Sequence, residues 1–92
     1  MRVRGDLDMA TAPLLEEAIA PVDHRERLVI DLTECSFVDS AALRVLTRTA
    51  RDLTERGGTL ALVVTDPGIL RILEITAVDT MLPVHSSVDA AL

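Results

Sequence analysis

Two short aliphatic runs, Leu28-Val29-Ile30-Asp31-Leu32 and Thr59-Leu60-Ala61-Leu62-Val63-Val64, interrupt a chain in which many other apolar residues recur at helical spacing. Runs of this length, rich in branched side chains and bounded by charged or glycine residues, predict central strands covered on both faces. Arg2-Val3-Arg4 alternates polar and apolar residues before Gly5 and predicts a shorter first strand. Between the aliphatic runs the period changes. Leu43, Leu46, Ala50 and Leu53 fall at i, i+3, i+7 and i+10, which places one apolar stripe on a helix that starts at Ser40 and ends at Gly57-Gly58. The segment leading into it, Thr33 to Asp39, is expected to carry Phe37 and Val38 into the interior.

An earlier helix is predicted with Thr11 as its cap, Pro13 in its first turn and Glu16 and Glu17 near its positive end. Its buried stripe is Leu14, Leu15, Ala18 and Ile19, and Pro21 stops it. A third helix opens at Asp66-Pro67, an acidic cap followed by a proline at the first position. There Ile69, Leu70, Ile72, Leu73 and Ile75 cover more of the circumference than one buried stripe requires, so some apolar surface is expected to stay exposed. Met81-Leu82-Pro83-Val84 predicts a short edge strand, and Ser86 is the expected cap of a terminal helix through Val88, Ala90, Ala91 and Leu92.

Strands and helices therefore alternate through one α/β domain, residues 1–92, with a largely parallel sheet and helices packed against it. A chain of 92 residues buries only about 60–65% of its unfolded surface, leaving little room for an enclosed pocket and favouring work by surface contact. Its 49% apolar content is aliphatic, since Phe37 is the only aromatic residue. Charge narrows the function further. Fifteen acids against nine arginines, with no lysine, leave a formal charge of −6, the wrong sign for a phosphate backbone or an anionic membrane, and no Trp or Tyr offers a stacking platform. A basic protein surface remains a suitable partner.

Cys35 stands alone and can close no intrachain disulfide, and no Cys/His cluster suggests a metal, so a buried or half-buried thiol in a reducing cytoplasm is expected. The apolar runs are far short of the roughly 20 residues of a spanning helix, and Met1-Arg2-Val3-Arg4-Gly5-Asp6 lacks a signal-peptide core. Asp6 and Asp8 form a DxD without an evident third ligand, so Asp8 is read as a residue that caps or hydrogen-bonds the loop entering the first helix, and no metal or cofactor is expected.

The candidate chemistry lies in Phe37-Val38-Asp39-Ser40-Ala41-Ala42-Leu43, where a carboxylate and a hydroxyl meet a helix start. Asp39 or Ser40 capping the helix is the plain reading of that placement. A phosphate on Ser40 is tolerated at the same place, and it adds about −1.5 to −2 charge to a surface able to dock. The two roles are compatible. Ser40 is not flanked by the glycines of a nucleophile elbow, and His24 and His85 read as loop residues rather than general bases, so no catalytic residue is assigned. Arg44, Arg48 and Arg51 line the polar face of the Ser40 helix, with Asp52 and Glu55 placed to pair with Arg48 and Arg51. Arg44, one turn from Ser40, is the member expected to join a partner interface.

Gly5-Asp6-Leu7-Asp8 followed by Thr11-Ala12, the strand Leu28 to Leu32, and Phe37 to Leu43 together resemble the STAS family, whose corresponding signatures are G-E-L-D with T-A and F-x-D-S-[ST]-G-L. Gly57-Gly58-Thr59-Leu60, the helix from Ile69 to Ala77 and Ser87-Val88-Asp89-Ala90-Ala91 extend the resemblance over nearly the whole chain. It implies a STAS-like α/β fold, a four- to five-stranded mixed, mostly parallel sheet with about four helices. It also implies the function of an anti-sigma factor antagonist: a non-enzymatic, cytoplasmic module that binds a serine-kinase anti-sigma factor, frees the sigma factor, is switched by phosphorylation and is restored by a phosphatase. It assigns Ser40 as phosphoacceptor, and with Arg44 from the helix-face reading the expected partner interface is Asp8, Asp39, Ser40, Ala41 and Arg44. The alternative within the family is the STAS subunit of a lipid-transport ABC system. Ala41 stands where a second hydroxyl is usual, and Ala42 where glycine is usual, adding a Cβ where a partner backbone would approach. Because the family places two strands before the G-E-L-D segment and only four residues precede Gly5, the first family strand is expected to be missing, leaving a sheet edge open for oligomer pairing.

Overall fold

The computed structural model describes residues 1–21 and 27–91. Four strands, β1 (Arg2–Arg4), β2 (Arg27–Glu34), β3 (Thr59–Val63) and β4 (Val84–His85), form one sheet in the order β1-β2-β3-β4, and every pairing is parallel. Helices α1 (Ala12–Ile19), α2 (Ser40–Glu55) and α3 (Pro67–Ile75) connect them in turn, followed by a 3₁₀ turn at Val78–Thr80 and, after β4, by α4 (Val88–Ala91). The mixed sheet implied by the resemblance is thus parallel throughout its described strands. Among those residues β1 has no neighbour on its outer side.

Strand order explains where the core lies. Parallel connections are right-handed by default, so a chain that steps in one direction across a sheet leaves its connecting helices on the same face. Alternation then divides each strand between two environments. Leu28, Ile30 and Leu32 of β2, with Leu60, Leu62 and Val64 in and after β3, pack in one cluster with Leu15 and Ile19 of α1, Leu46 and Leu53 of α2 and Leu73 of α3. Val29, Ala61 and Val63 point the other way and cluster with Ala91 of the four-residue α4. Among the described residues the aliphatic runs are therefore covered on both faces, as expected, but by a thick layer on one side and one short helix on the other.

Asp31 shares that thinner side with Arg2, its pairing partner on β1. Its carboxylate is buried, accepts a hydrogen bond from the Thr33 N–H at 2.9 Å and lies 3.5 Å from Arg2 Nε. The Thr33 hydrogen bonds, and then the Arg2 charge, hold its carboxyl below the ordinary aspartate value of 3.8 against the opposing effect of burial.

Several local expectations are corrected. Leu14 is 62% exposed and Ala18 is also exposed, because an eight-residue helix buries one stripe, and here that stripe is Ala12, Leu15 and Ile19. Phe37 is 47% exposed: Val38 bridges to Leu7 and points inward, so the preceding side chain points out. The edge strand begins at Val84, later than Met81, which is exposed. Ser87 rather than Ser86 accepts from the Ala90 N–H, at 3.1 Å. His24, and Leu92 of the expected terminal helix, lie outside the described residues.

The expected helix ends otherwise form. Asp66 accepts from the Ile69 N–H at 3.0 Å ahead of Pro67. At the end of α2 Gly57 adopts φ +86°, the left-handed conformation that glycine takes without a Cβ clash, while Gly58 N–H donates to Leu53 O at 2.8 Å and Gly57 N–H to Thr54 O at 3.2 Å.

Candidate protein-interaction site

Beyond the last regular pair of β1 and β2 the two chains stay together. Gly5 turns at φ +79° and donates to Glu34 O at 3.3 Å; two residues on, Leu7 N–H donates to Phe37 O at 2.8 Å and Leu7 O accepts from Asp39 N–H at 3.0 Å. Leu7 and Val38 anchor this crossing in the core, 3% and 1% exposed. Ser36 Oγ adds a hydrogen bond to Asp6 Oδ1 at 3.1 Å. The loop from Gly5 to Thr11 is thereby fixed beside the start of α2.

Asp39 joins the two loops. Its backbone is extended, as an N-cap requires, and its Oδ1 accepts from the Ala42 N–H at 3.0 Å. Its Oδ2 accepts from the Met9 N–H at 2.9 Å, across 30 positions of sequence. Both carboxylate oxygens are occupied by backbone donors, and the residue is half-buried. Of the two residues that sequence offers as the cap, Asp39 is the one that serves.

Ser40 is then the first residue of the helix, exposed, with no hydrogen-bond partner for its hydroxyl among the described residues. Ala41 is half-buried against the core and presents only part of its surface. Ala42 is fully buried. Its Cβ therefore lies within the core, correcting the expectation that it meets a partner backbone.

Asp8 organises the neighbouring loop. Its Oδ1 accepts from the N–H groups of Ala10 at 2.9 Å and Thr11 at 3.1 Å, and its carbonyl accepts from Ala12 N–H at 2.8 Å. Thr11 occupies the cap position of α1 without a side-chain cap bond, because its hydroxyl accepts from Asp8 N–H at 2.9 Å and donates to Asp6 O at 3.0 Å. Neither Glu16 nor Glu17 lies in the first turn. With Asp6 and Asp8 so engaged, no group of metal-holding side chains forms among the described residues.

Arg44 is exposed and makes no ion pair with a described residue. Arg48 reaches Glu16 on α1 at 3.4 Å rather than Asp52, and Arg51 pairs with neither Asp52 nor Glu55. Two exposed apolar residues that the sequence did not assign to the site flank it: Met9 at 78% and Phe37 at 47%. Large apolar side chains outward on loops held this firmly are the signal that was available only after the burial pattern was known.

His85 lines the cavity beside α4 with Ala61, Ala90 and Ala91, on the sheet face away from α2, so it supplies no base to Ser40. Cys35 is buried, its thiol donating to Phe37 O at 3.2 Å. No described helix is long and apolar enough to cross a membrane.

The likeness to known proteins extends over this whole arrangement. A Listeria monocytogenes protein named anti-sigma-B factor antagonist is 33% identical over 86 residues, covering 91% of this chain and 75% of the relative. The anti-sigma-F factor antagonist RsfA of Mycobacterium tuberculosis is 30% identical over 96 aligned positions, covering 100% of this chain and 75% of the relative. A crystal structure of an anti-sigma factor antagonist from Mycobacterium paratuberculosis superposes with a TM-score of 0.85 at 34% identity, over 98% of this chain and 78% of that one. The family pattern described as the STAS domain matches residues 1–91, and with the fold and these relatives it shows that the chain belongs to the STAS domain family.

Proposed function

We propose that this chain is an anti-sigma factor antagonist, a non-catalytic cytoplasmic module that binds an anti-sigma factor and so releases a sigma factor. The observation that carries the reading is the pairing of a fixed Asp39 with an outward Ser40 whose hydroxyl is uncommitted. The names of the relatives support it, and so does a surface that offers apolar contact and charge beside that hydroxyl, at Met9, Phe37 and Arg44. Asp8, Asp39, Ser40, Ala41 and Arg44 form the contact zone in this reading, with Asp8 and Asp39 acting through the loop shape they impose.

The anti-sigma factor is of the serine-kinase type. It transfers the γ-phosphoryl group of ATP to Ser40 Oγ: the new O–P bond forms as the bond to the bridging β–γ oxygen breaks, ADP leaves, and the hydroxyl proton passes to a base of the kinase. The added charge weakens docking, and a phosphatase hydrolyses the ester to restore it.

The test is binding of the full chain to a co-encoded kinase-type anti-sigma factor by calorimetry, followed by incubation with ATP and phosphosite mapping by mass spectrometry. Ser40→Ala is expected to bind within about threefold of the parent, and Ser40→Glu at least about tenfold more weakly. Equal affinity for parent, Ala and Glu forms, or phosphate on another residue, overturns the switch. Recovery of a transporter ATPase in place of a sigma regulator overturns the antagonist role.

A further inference from the structure

Arg44 follows Ser40 by four residues on α2, so the two side chains are neighbours on one face of the helix, with Cβ atoms about 5–6 Å apart. The order, acceptor toward the N-terminus and cation toward the C-terminus, is the favourable one for an i, i+4 ion pair. Arg44 has no present use for its charge. It is exposed, it pairs with no described carboxylate, and both oxygens of the adjacent Asp39 are held by backbone N–H groups. Arg48, one turn further on, is engaged by Glu16. Arg51, Arg56 and Arg71 also lack an ion pair with a described residue; what distinguishes Arg44 is its place one turn from a free hydroxyl.

We propose that Arg44 is the in-cis partner of the phosphate on Ser40, drawn onto it when the residue is modified. This rests on the reading of Ser40 as the phosphoacceptor, by the transfer from ATP written above. The planar guanidinium presents paired N–H donors that match two phosphate oxygens, whereas both oxygens of the nearby Asp39 carboxylate already hold backbone N–H groups. One modification then changes the docking surface twice: it adds negative charge at Ser40, and it withdraws the positive charge of Arg44 from any partner that reads it.

The experiment uses the full chain with phosphoserine placed at position 40 during translation, so that neither kinase nor partner is needed. The ³¹P resonance is titrated through the second phosphate ionisation, which lies near pH 6 for a free phosphoserine, about where the shift is read. Arg44→Gln is expected to raise that midpoint by roughly 0.3 pH units, Arg44→Lys by less, and Arg48→Gln to leave it in place. The Arg44 effect is expected to shrink in about 1 M salt. Superimposable curves for the parent and Arg44→Gln, or an equal shift from Arg48→Gln, overturn the proposal. Such a result leaves the antagonist reading standing, because that is judged by binding and phosphosite mapping; failure of those assays leaves the titration unaffected.

Discussion

The Met9 N–H lies 2.9 Å from Asp39 Oδ2 while Asp39 Oδ1 holds the Ala42 N–H at 3.0 Å. One carboxylate thus starts α2 and ties down a loop 30 positions earlier, which is why Ser40 is offered outward from a rigid support. Two backbone donors on one anion are charge-assisted hydrogen bonds, stronger than the neutral kind.

Separating the two oxygens tests this clamp. Asp39→Ala removes both contacts and is expected to cost about 1–3 kcal/mol, measured by urea denaturation. Asp39→Asn keeps one acceptor oxygen and turns the other position into a donor, which cannot receive an N–H. Hydrogen exchange is expected to show the Ala42 amide still protected and the Met9 amide newly exposed. Protection retained at Met9 in the Asn form is the result that contradicts the clamp.

The cap half of this arrangement is legible in sequence, because aspartate before an apolar helical period has one dominant local use. The clamp half is not: nothing local to Met9 announces a carboxylate 30 positions away. The same division runs through the fold. Strand and helix order follow from period alone, whereas the outward facing of Phe37 depends on the Leu7–Val38 bridge, a contact between distant segments. Leu14 faces out because position on a short helix, not apolar character, decides which side chains are buried. The uneven cover of the two sheet faces depends on the order of the strands, which no single run encodes.

Restoring the family's glycine at position 42 is expected to harm stability and leave recognition alone. Ala42 is fully buried in the first turn of α2, so Ala42→Gly loses a buried methyl and loosens the helix, together about 1–2 kcal/mol. Calorimetric affinity for the partner is expected to stay within about threefold, a range too small for a lost interface contact. A tenfold gain in binding would place the Ala42 Cβ at the interface after all.

Acid should reveal Asp31. Its folded carboxyl titrates below the ordinary value of 3.8, so the unfolded chain takes up this proton first as pH falls. The stabilisation is therefore complete above the ordinary value, declines as pH drops through it, and is gone below the folded value. The urea midpoint of the parent is expected to fall more steeply below about pH 5 than that of Asp31→Asn, with the two profiles running parallel above it. Parallel profiles down to pH 2 would mean that the hydrogen bonds from Thr33 do not favour the ionised form.

Phe37 is the sharpest probe of the docking surface. It is the chain's one aromatic residue and is 47% exposed, three positions before Ser40, on a loop whose carbonyl accepts from Leu7 N–H at 2.8 Å. A folding role would have drawn the ring inside, where Val38 already sits. Aromatic side chains on rigid loops lose little conformational entropy when covered and dominate interface energetics. Phe37→Ser is accordingly expected to shift stability by no more than about 0.5–1 kcal/mol and to weaken anti-sigma factor binding about tenfold or more. Ile75→Ser on α3, where the side chain is 71% exposed, serves as the comparison and is expected to change binding little. If both substitutions weaken binding equally, exposed apolar surface in general, and not the loop leading into Ser40, is what the partner reads.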